Sequence, residues 1–228
     1  MKEIIANQSV EDGRVHDEDR PSTLPQRATD LSTLLCSRRS VRQYQERPVT
    51  RQQIEQILEA ARWAPSPHGR QPWRVVVVTK PELKQRLADQ MGEDWQRNLE
   101  MDGQSAEIVN IRRKKSHQRI LQAPALIIPC LYLEDLDSYP DAQRQADETT
   151  MAVQSIGAAI QNMLLMAYDL GLDGGWMCAP LFCPEIVCKA LELDTRLIPQ
   201  ALITIGYAAA NPKRRERLPL QSLIVRFD

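Results

Sequence analysis

The sequence predicts an α+β protein in which one sheet is wrapped by helices. Three observations carry that expectation. Helical and strand-like segments interleave in the order helix, helix, strand, helix, strand, long helix, strand, helix, strand. At 228 residues, 43% hydrophobic and 26% charged, the chain has the composition of one large domain with a real core, unlike a disordered chain or a membrane bundle. It also lacks a G-x-G-x-x-G after its first strand, a G-x-x-x-x-G-K phosphate loop and any internal repeat, so Rossmann, P-loop and solenoid architectures have no support.

Residues 1–29 mix acids, arginines, serines and prolines without periodicity, and Pro21 and Pro25 forbid a continuing helix, so a flexible arm is expected there. A single domain is expected over 30–228. Leu31, Leu34 and Leu35 follow helical spacing up to Arg38-Arg39-Ser40-Val41-Arg42, so a short helix delivers a basic turn. Thr50 and Gln53 form a capping box that opens a second helix, whose Ile54, Ile57, Leu58 and Ala61 share one face and which must end before Pro65. A loop stiffened by Pro65, Pro67 and Pro72 then leads into a strand over 74–79. Pro81 starts another helix, and the polar stretch 92–122 reads as a helical excursion.

Residues 125–133 read as a buried strand. A long helix is expected over 149–170, stopped by Gly171, with Gly157, Ala158 and Ala159 allowing close packing. Its apolar character on most sides calls for a second chain as well as its own sheet. A strand over 174–178, a helix over 184–191, a strand over 200–207 and a strand-like end over 222–227 complete the reading.

The longest apolar stretch, 123–133, is broken by Pro124 and Pro129 and is far short of the roughly 20 residues a bilayer span needs. No secretory leader is visible in 1–28, which makes the cytoplasm the expected compartment. With 29 basic and 30 acidic residues the net charge is −1, so no global field attracts nucleic acid or membrane. Any anion must be caught locally. The five cysteines show no C-x-x-C spacing or histidine pairing, so they are expected to be thiols of a reducing compartment rather than metal ligands.

Arg38, Arg39 and Arg42 cluster at a helix end around the hydroxyl of Ser40. Like charges at this spacing repel, whereas guanidinium forks hold phosphate bidentately, so an anion is expected. A second basic run, Lys213-Arg214-Arg215-Glu216-Arg217, follows the last core strand. If the two converge, they clamp one phosphate. No Ser-His-Asp, Cys-His or paired-carboxylate arrangement stands out among only three histidines, so no side-chain catalyst is evident.

These residues carry a resemblance. Arg38 to Tyr44, Pro65-Ser66 with Gln71-Pro72-Trp73, Gly171 to Trp176, Gly206-Tyr207 and Arg215 to Leu220, taken in order from about residue 31 onward, resemble the nitroreductase family of FMN-dependent oxidoreductases. The resemblance implies a nitroreductase-like fold, with a central, mostly antiparallel sheet in an intertwined homodimer whose chains share each flavin site. It implies that Arg38, Arg39, Ser40 and Arg42 hold the FMN phosphate, ribityl chain and pyrimidine edge, with Arg215 and Arg217 closing on the phosphate. Pro65 and Ser66 would come from the other subunit, and Gly175, Trp176 and Met177 would lie near the flavin N5. NADH or NADPH is the implied electron donor, with ping-pong transfer to a nitro, quinone or enone-like acceptor. Gly69 stands where many relatives carry Asn, and Ser40 where the flavin-destroying, oxygen-using branch carries Asp.

Within the family, Ala64 to His68, Gly175-Trp176 and Leu181 to Pro184 look most like the flavin domain of coenzyme F420 glutamate ligases, so a reductase acting on a deazaflavin is the alternative, and a flavin-free binding module a further one. Blander roles are expected for His68 as an exposed loop residue, Trp73 and Trp176 as core, Cys178 as a buried thiol, and Arg112 to Lys115 as a solvated helix face, the alternative for that last run being a grip on the phosphate of NADPH or on a polyanionic substrate.

Overall fold

The most continuous apolar runs become the middle of the sheet. The computed structural model describes residues 30–228, and the expected N-terminal arm lies outside them. Five strands, β1 (Trp73–Val78), β2 (Ala125–Tyr132), β3 (Asp173–Met177), β4 (Leu197–Pro199) and β5 (Leu202–Gly206), form one sheet in the order β1-β2-β5-β3, with β4 also paired to β2. Every pairing is antiparallel, with Val76 opposite Ile128, Ile127 opposite Ile203 and Gly175 opposite Thr204.

Both faces of this sheet are covered, which is why β2 and β5 read as largely apolar runs rather than as alternating ones. Successive side chains of a strand point to opposite faces. Ala125, Ile127 and Leu131 of β2 join Ile203 and Ile205 of β5 in one core layer. Leu126, Ile128 and Cys130 face the other way with Leu202. The first layer is closed by α2 (Arg51–Arg62) and α5 (Ala142–Asp169), and the second by α3 (Pro81–Met101) and α6 (Pro184–Leu191). The helix α4 (Ala106–Gln122) lies back along α3, and α1 (Leu31–Ser37) sits near the surface.

Local chemistry explains several boundaries. The Gln53 amide N–H donates to Thr50 Oγ1 at 3.2 Å and the Thr50 N–H to Gln53 Oε1 at 3.0 Å, the reciprocal capping box the sequence announces. The helix α5 ends as expected at Gly171, whose φ of 78° closes a Schellman turn in which the Leu172 N–H donates to the Ala167 carbonyl at 2.9 Å. Lys84, buried on α3, donates to the carbonyl of Ala123 at 2.8 Å and so satisfies the C-terminal end of α4.

Three expectations need correction. The long helix starts at Ala142, one turn or more before 149, because Asp141 accepts the Arg144 N–H at 2.9 Å as an N-cap and the first turns are polar. The 92–122 excursion is a hairpin of two helices, since α3 runs straight through Gly92 and breaks only at Gly103, with φ of 72°. Residues 222–227 form no strand: a 3₁₀ turn occupies Leu220–Leu223 and the rest finds no partner strand among the described residues, leaving Val225 and Phe227 exposed.

Burial between sheet and helices pushes the Cys130 thiol up to about 12. The native state keeps this proton where the unfolded chain begins to release it, so stability is lost as pH rises from about 9 towards the folded value. Cys130→Ala removes that contribution. Urea unfolding is expected to show the stability gap between wild type and variant narrowing by about 1 kcal/mol between neutral pH and about pH 10. An unchanged gap would mean that the native thiol ionises as freely as the unfolded one.

Candidate functional site

The segment that follows α1 is held as an added edge of the sheet. The Val41 N–H donates to the Gly174 carbonyl at 3.0 Å, with Ser40 bridged to Gly174 in parallel. Immediately after, the direction of pairing suits the chain beyond β5: the Gln45 N–H donates to the Tyr207 carbonyl at 2.8 Å and the Ala209 N–H to the Gln43 carbonyl at 3.0 Å. Antiparallel pairing of 43–45 with 207–209 necessarily lays the residues before 43 beside those after 209. The two basic clusters therefore meet.

Close approach is enforced from beneath. The Tyr44 hydroxyl is buried 2.9 Å from the Val41 carbonyl oxygen and 2.7 Å from Thr204 Oγ1, and the Thr204 hydroxyl donates to the Gly175 carbonyl at 3.3 Å. Desolvation raises the Tyr44 pKa well above the phenol range, so it stays a neutral member of this network. Gly175 is required: a Cβ there would sit 2.4 Å from the Val41 carbonyl oxygen and 2.8 Å from Thr204 Oγ1.

Above this support lies a cavity of about 410 Å³ whose lining includes Arg38, Arg39, Ser40, Arg42, Arg215 and Arg217, together with Lys213 and Arg214. No carboxylate lines it. Arg38 has its pKa lowered first by burial and then by the charges of Arg217 and Arg39, the signature of guanidiniums crowded together. Arg39 Nη1 donates to the carbonyls of Cys36, Ser37 and Arg38 at 3.0, 2.6 and 3.0 Å, so it caps the C-terminal end of α1 while it lines the cavity. Arg214 donates to the same Cys36 carbonyl and ties the second cluster to that helix end. Such a setting suits a dianionic phosphate, whose charge relieves the mutual repulsion and whose oxygens match the guanidinium forks.

The other expected residues are placed elsewhere. Gly175, Trp176 and Met177 lie on β3, joined to the cavity through the Ser40–Gly174 bridge, but are not among its lining residues. Trp176 is 37% exposed, so it is not the core residue expected. Trp73 is core. Pro65 and Ser66 precede β1, at the opposite edge of the sheet from β3, and one chain does not bring them to the arginines. Their loop is fixed locally, with Ser66 Oγ accepting the Gln71 N–H at 3.0 Å and with His68 and Gln71 at positive φ. His68 is exposed as expected, whereas Cys178 is exposed rather than buried. Lys115 is not merely part of a solvated face: with Arg119, which the sequence reading passed over, it lines a second cavity adjoining the first. The i, i+3, i+4, i+7 spacing of Lys115, Gln118, Arg119 and Gln122 was the available signal.

Sheet, helices and cavity together define an α+β protein that gathers two basic clusters around one cavity, between a helix end and the chain leaving its central sheet. The chain belongs to the nitroreductase family, whose model matches residues 35–207. It is 30% identical over 213 residues to an NADH dehydrogenase of Thermus thermophilus, covering 90% of this chain and 98% of that protein. Among solved structures it is similar to a Desulfovibrio desulfuricans protein in complex with FMN, at 26% identity and TM-score 0.68, covering 88% of this chain and 98% of that one. A BluB-like flavoprotein of Clostridium difficile shares the fold at TM-score 0.73 and 24% identity, covering 88% of this chain and all (100%) of that one.

Two substitutions test the support beneath the arginines. Tyr44→Phe removes a buried hydroxyl and is expected to cost about 1–2 kcal/mol. Gly175→Ala forces Val41 away from β3 and is expected to cost about 1–3 kcal/mol. Both are read from urea unfolding curves, and wild-type midpoints in both would show that the segment is held by other means.

Proposed function

We propose that this nitroreductase-family chain is an FMN-dependent oxidoreductase that draws hydride from NADH or NADPH and delivers it to a small nitro, quinone or enone-like acceptor. The observation that carries this reading is the cavity in which two basic clusters, distant in sequence, converge with no acid between them. Its donor set suits the phosphate of FMN. Arg38, Arg42, Arg215 and Arg217 would hold that group by charge and hydrogen bonds, with Ser40 supplying a hydroxyl. When bound, FMN supplies a ring nitrogen that accepts and releases hydride, so donor and acceptor take turns at one site.

The residues of the chain serve position and shielding. Gly175, Trp176 and Met177 would lie along the ring, Gly175 being fixed against Val41 by its lack of a side chain. Pro65 and Ser66 sit at the far edge of the sheet, which fits a homodimer in which the partner subunit's Pro65 and the partner subunit's Ser66 complete each site. Exposed apolar side chains also favour a second copy: Val153 on α5, and Leu218, Leu220, Leu223, Val225 and Phe227 in the C-terminal segment. Among the described residues no helix is long and apolar enough to cross a membrane.

The purified protein is expected to take up FMN, to be bleached by NADH or NADPH without oxygen, to recover its colour on adding a quinone or nitroaromatic, and to sediment as two chains. Arg38→Ala and Arg217→Ala are each expected to weaken FMN binding about 10- to 100-fold, from the worth of a charge-assisted hydrogen bond. Flavin fluorescence titration measures this. A protein with no affinity for FMN, or variants that bind like wild type, would sink the reading.

A further inference from the structure

The second cavity lies across Arg42 and Pro212 from the first and has a volume of about 450 Å³. Three cations line it: Arg42 from the segment after α1, and Lys115 and Arg119 from α4. Three amides, Gln43, Gln118 and Gln122, accompany them, and no carboxylate does. Burial lowers the Arg119 pKa first, and the facing charge of Arg42 lowers it further. Elsewhere the chain neutralises its arginines freely, as in Arg70 with Asp137, Arg74 with Asp135 and Arg86 with Glu192. On α4 itself, Arg113 donates to Gln96 Oε1 at 2.6 Å and His117 contacts Asp89 at 2.9 Å. Among the described residues, the side chains of Lys115 and Arg119 form no salt bridge and donate no hydrogen bond within the chain.

Placing an exposed lysine and a half-buried arginine of α4 around a third cation, with no acid among them, favours binding of a multiply charged anion over fold stability. Two guanidinium forks and an ammonium match the two charges and the oxygens of a phosphate monoester, and the amides add neutral donors. The volume is in the range of small-ligand sites, roughly 300–1,000 Å³, and exceeds what a bare phosphate fills.

We infer that this cavity is a second phosphate subsite, which takes a phosphate monoester on a nucleoside, and that it gives the protein a preference for a donor carrying a 2′-phosphate, NADPH over NADH. Its place beside a flavin rests on the function proposed above; the cavity and its charges do not.

The test uses the FMN-loaded protein, in which the first cavity is filled. Calorimetric titration with adenosine 2′,5′-bisphosphate is expected to give a Kd at least tenfold lower than with adenosine 5′-monophosphate. The double variant Lys115→Gln with Arg119→Gln is expected to abolish that difference while FMN affinity stays within twofold of wild type, and to raise the KM for NADPH with little change in that for NADH. Equal affinity of wild type for the two nucleotides, or a difference that survives in the variant, overturns the inference. A parallel fall in FMN affinity overturns it too, by making the cavity part of the flavin site. Inorganic phosphate binding as tightly as the bisphosphate would overturn the nucleotide assignment. If the protein takes no FMN, the flavin reading fails separately, and the same nucleotide titrations on the flavin-free protein still decide this cavity.

Discussion

Everything in the site depends on a few backbone hydrogen bonds that add residues 40–45 to the sheet. Val41 reaches Gly174 and residues 43–45 pair with 207–209, so a stretch that begins as the end of a short surface helix becomes a ladder against two core strands. Side chains could not do this alone, because six or more cations gathered at one place repel: a close pair near a surface costs between about 1 and 4 kcal/mol. The backbone ladder and the buried Tyr44–Thr204 contact hold the clusters together against that repulsion. The stored electrostatic cost is what an anion relieves on binding, so affinity and fold are coupled through the same hydrogen bonds.

A two-sided core makes such a ladder possible. With helices on both faces, β2 and β5 are fully desolvated and keep one register, and the added segment inherits it. The absence of a side chain at Gly175 then sets how near the carbonyl of Val41 approaches β3. Arg39 and Arg214 share the Cys36 carbonyl, so part of each basic cluster is spent on anchoring the helix end and the rest is turned to the cavity.

What the sequence made legible was mostly local. The capping box at Thr50, the helix over 184–191 and the Schellman glycine at 171 depend on neighbours within a turn, and they are where the residues say. The arginine clusters could be marked as charge to be neutralised, but their meeting depends on pairing between residues about 160 apart, which no periodicity reveals. Strand β4 was missed because three residues ending in Pro199 carry no alternation to read. The terminal stretch 222–227 failed for the opposite reason: its β-forming residues are real, but a strand exists only with a partner. Arg119 escaped notice because an isolated arginine on a polar helix looks solvated until a second element is folded over it. Pro65 and Ser66 were marked through family likeness, and one chain by itself keeps them at the other rim of the sheet.

The hairpin of α3 and α4 has an evolutionary consequence. Only the first half of α3 is rooted in the central core, through Leu87, Ala88 and Met91, while α4 buries little beyond Val109 and Ile120. Lineages can therefore lengthen, trim or rewrite the tip and outer turns without disturbing the ladder that gathers the arginines. The last turns of α4 are excluded from that freedom, since Lys115 to Gln122 stand beside Arg42, so variation in length belongs to the hairpin tip around Gly103.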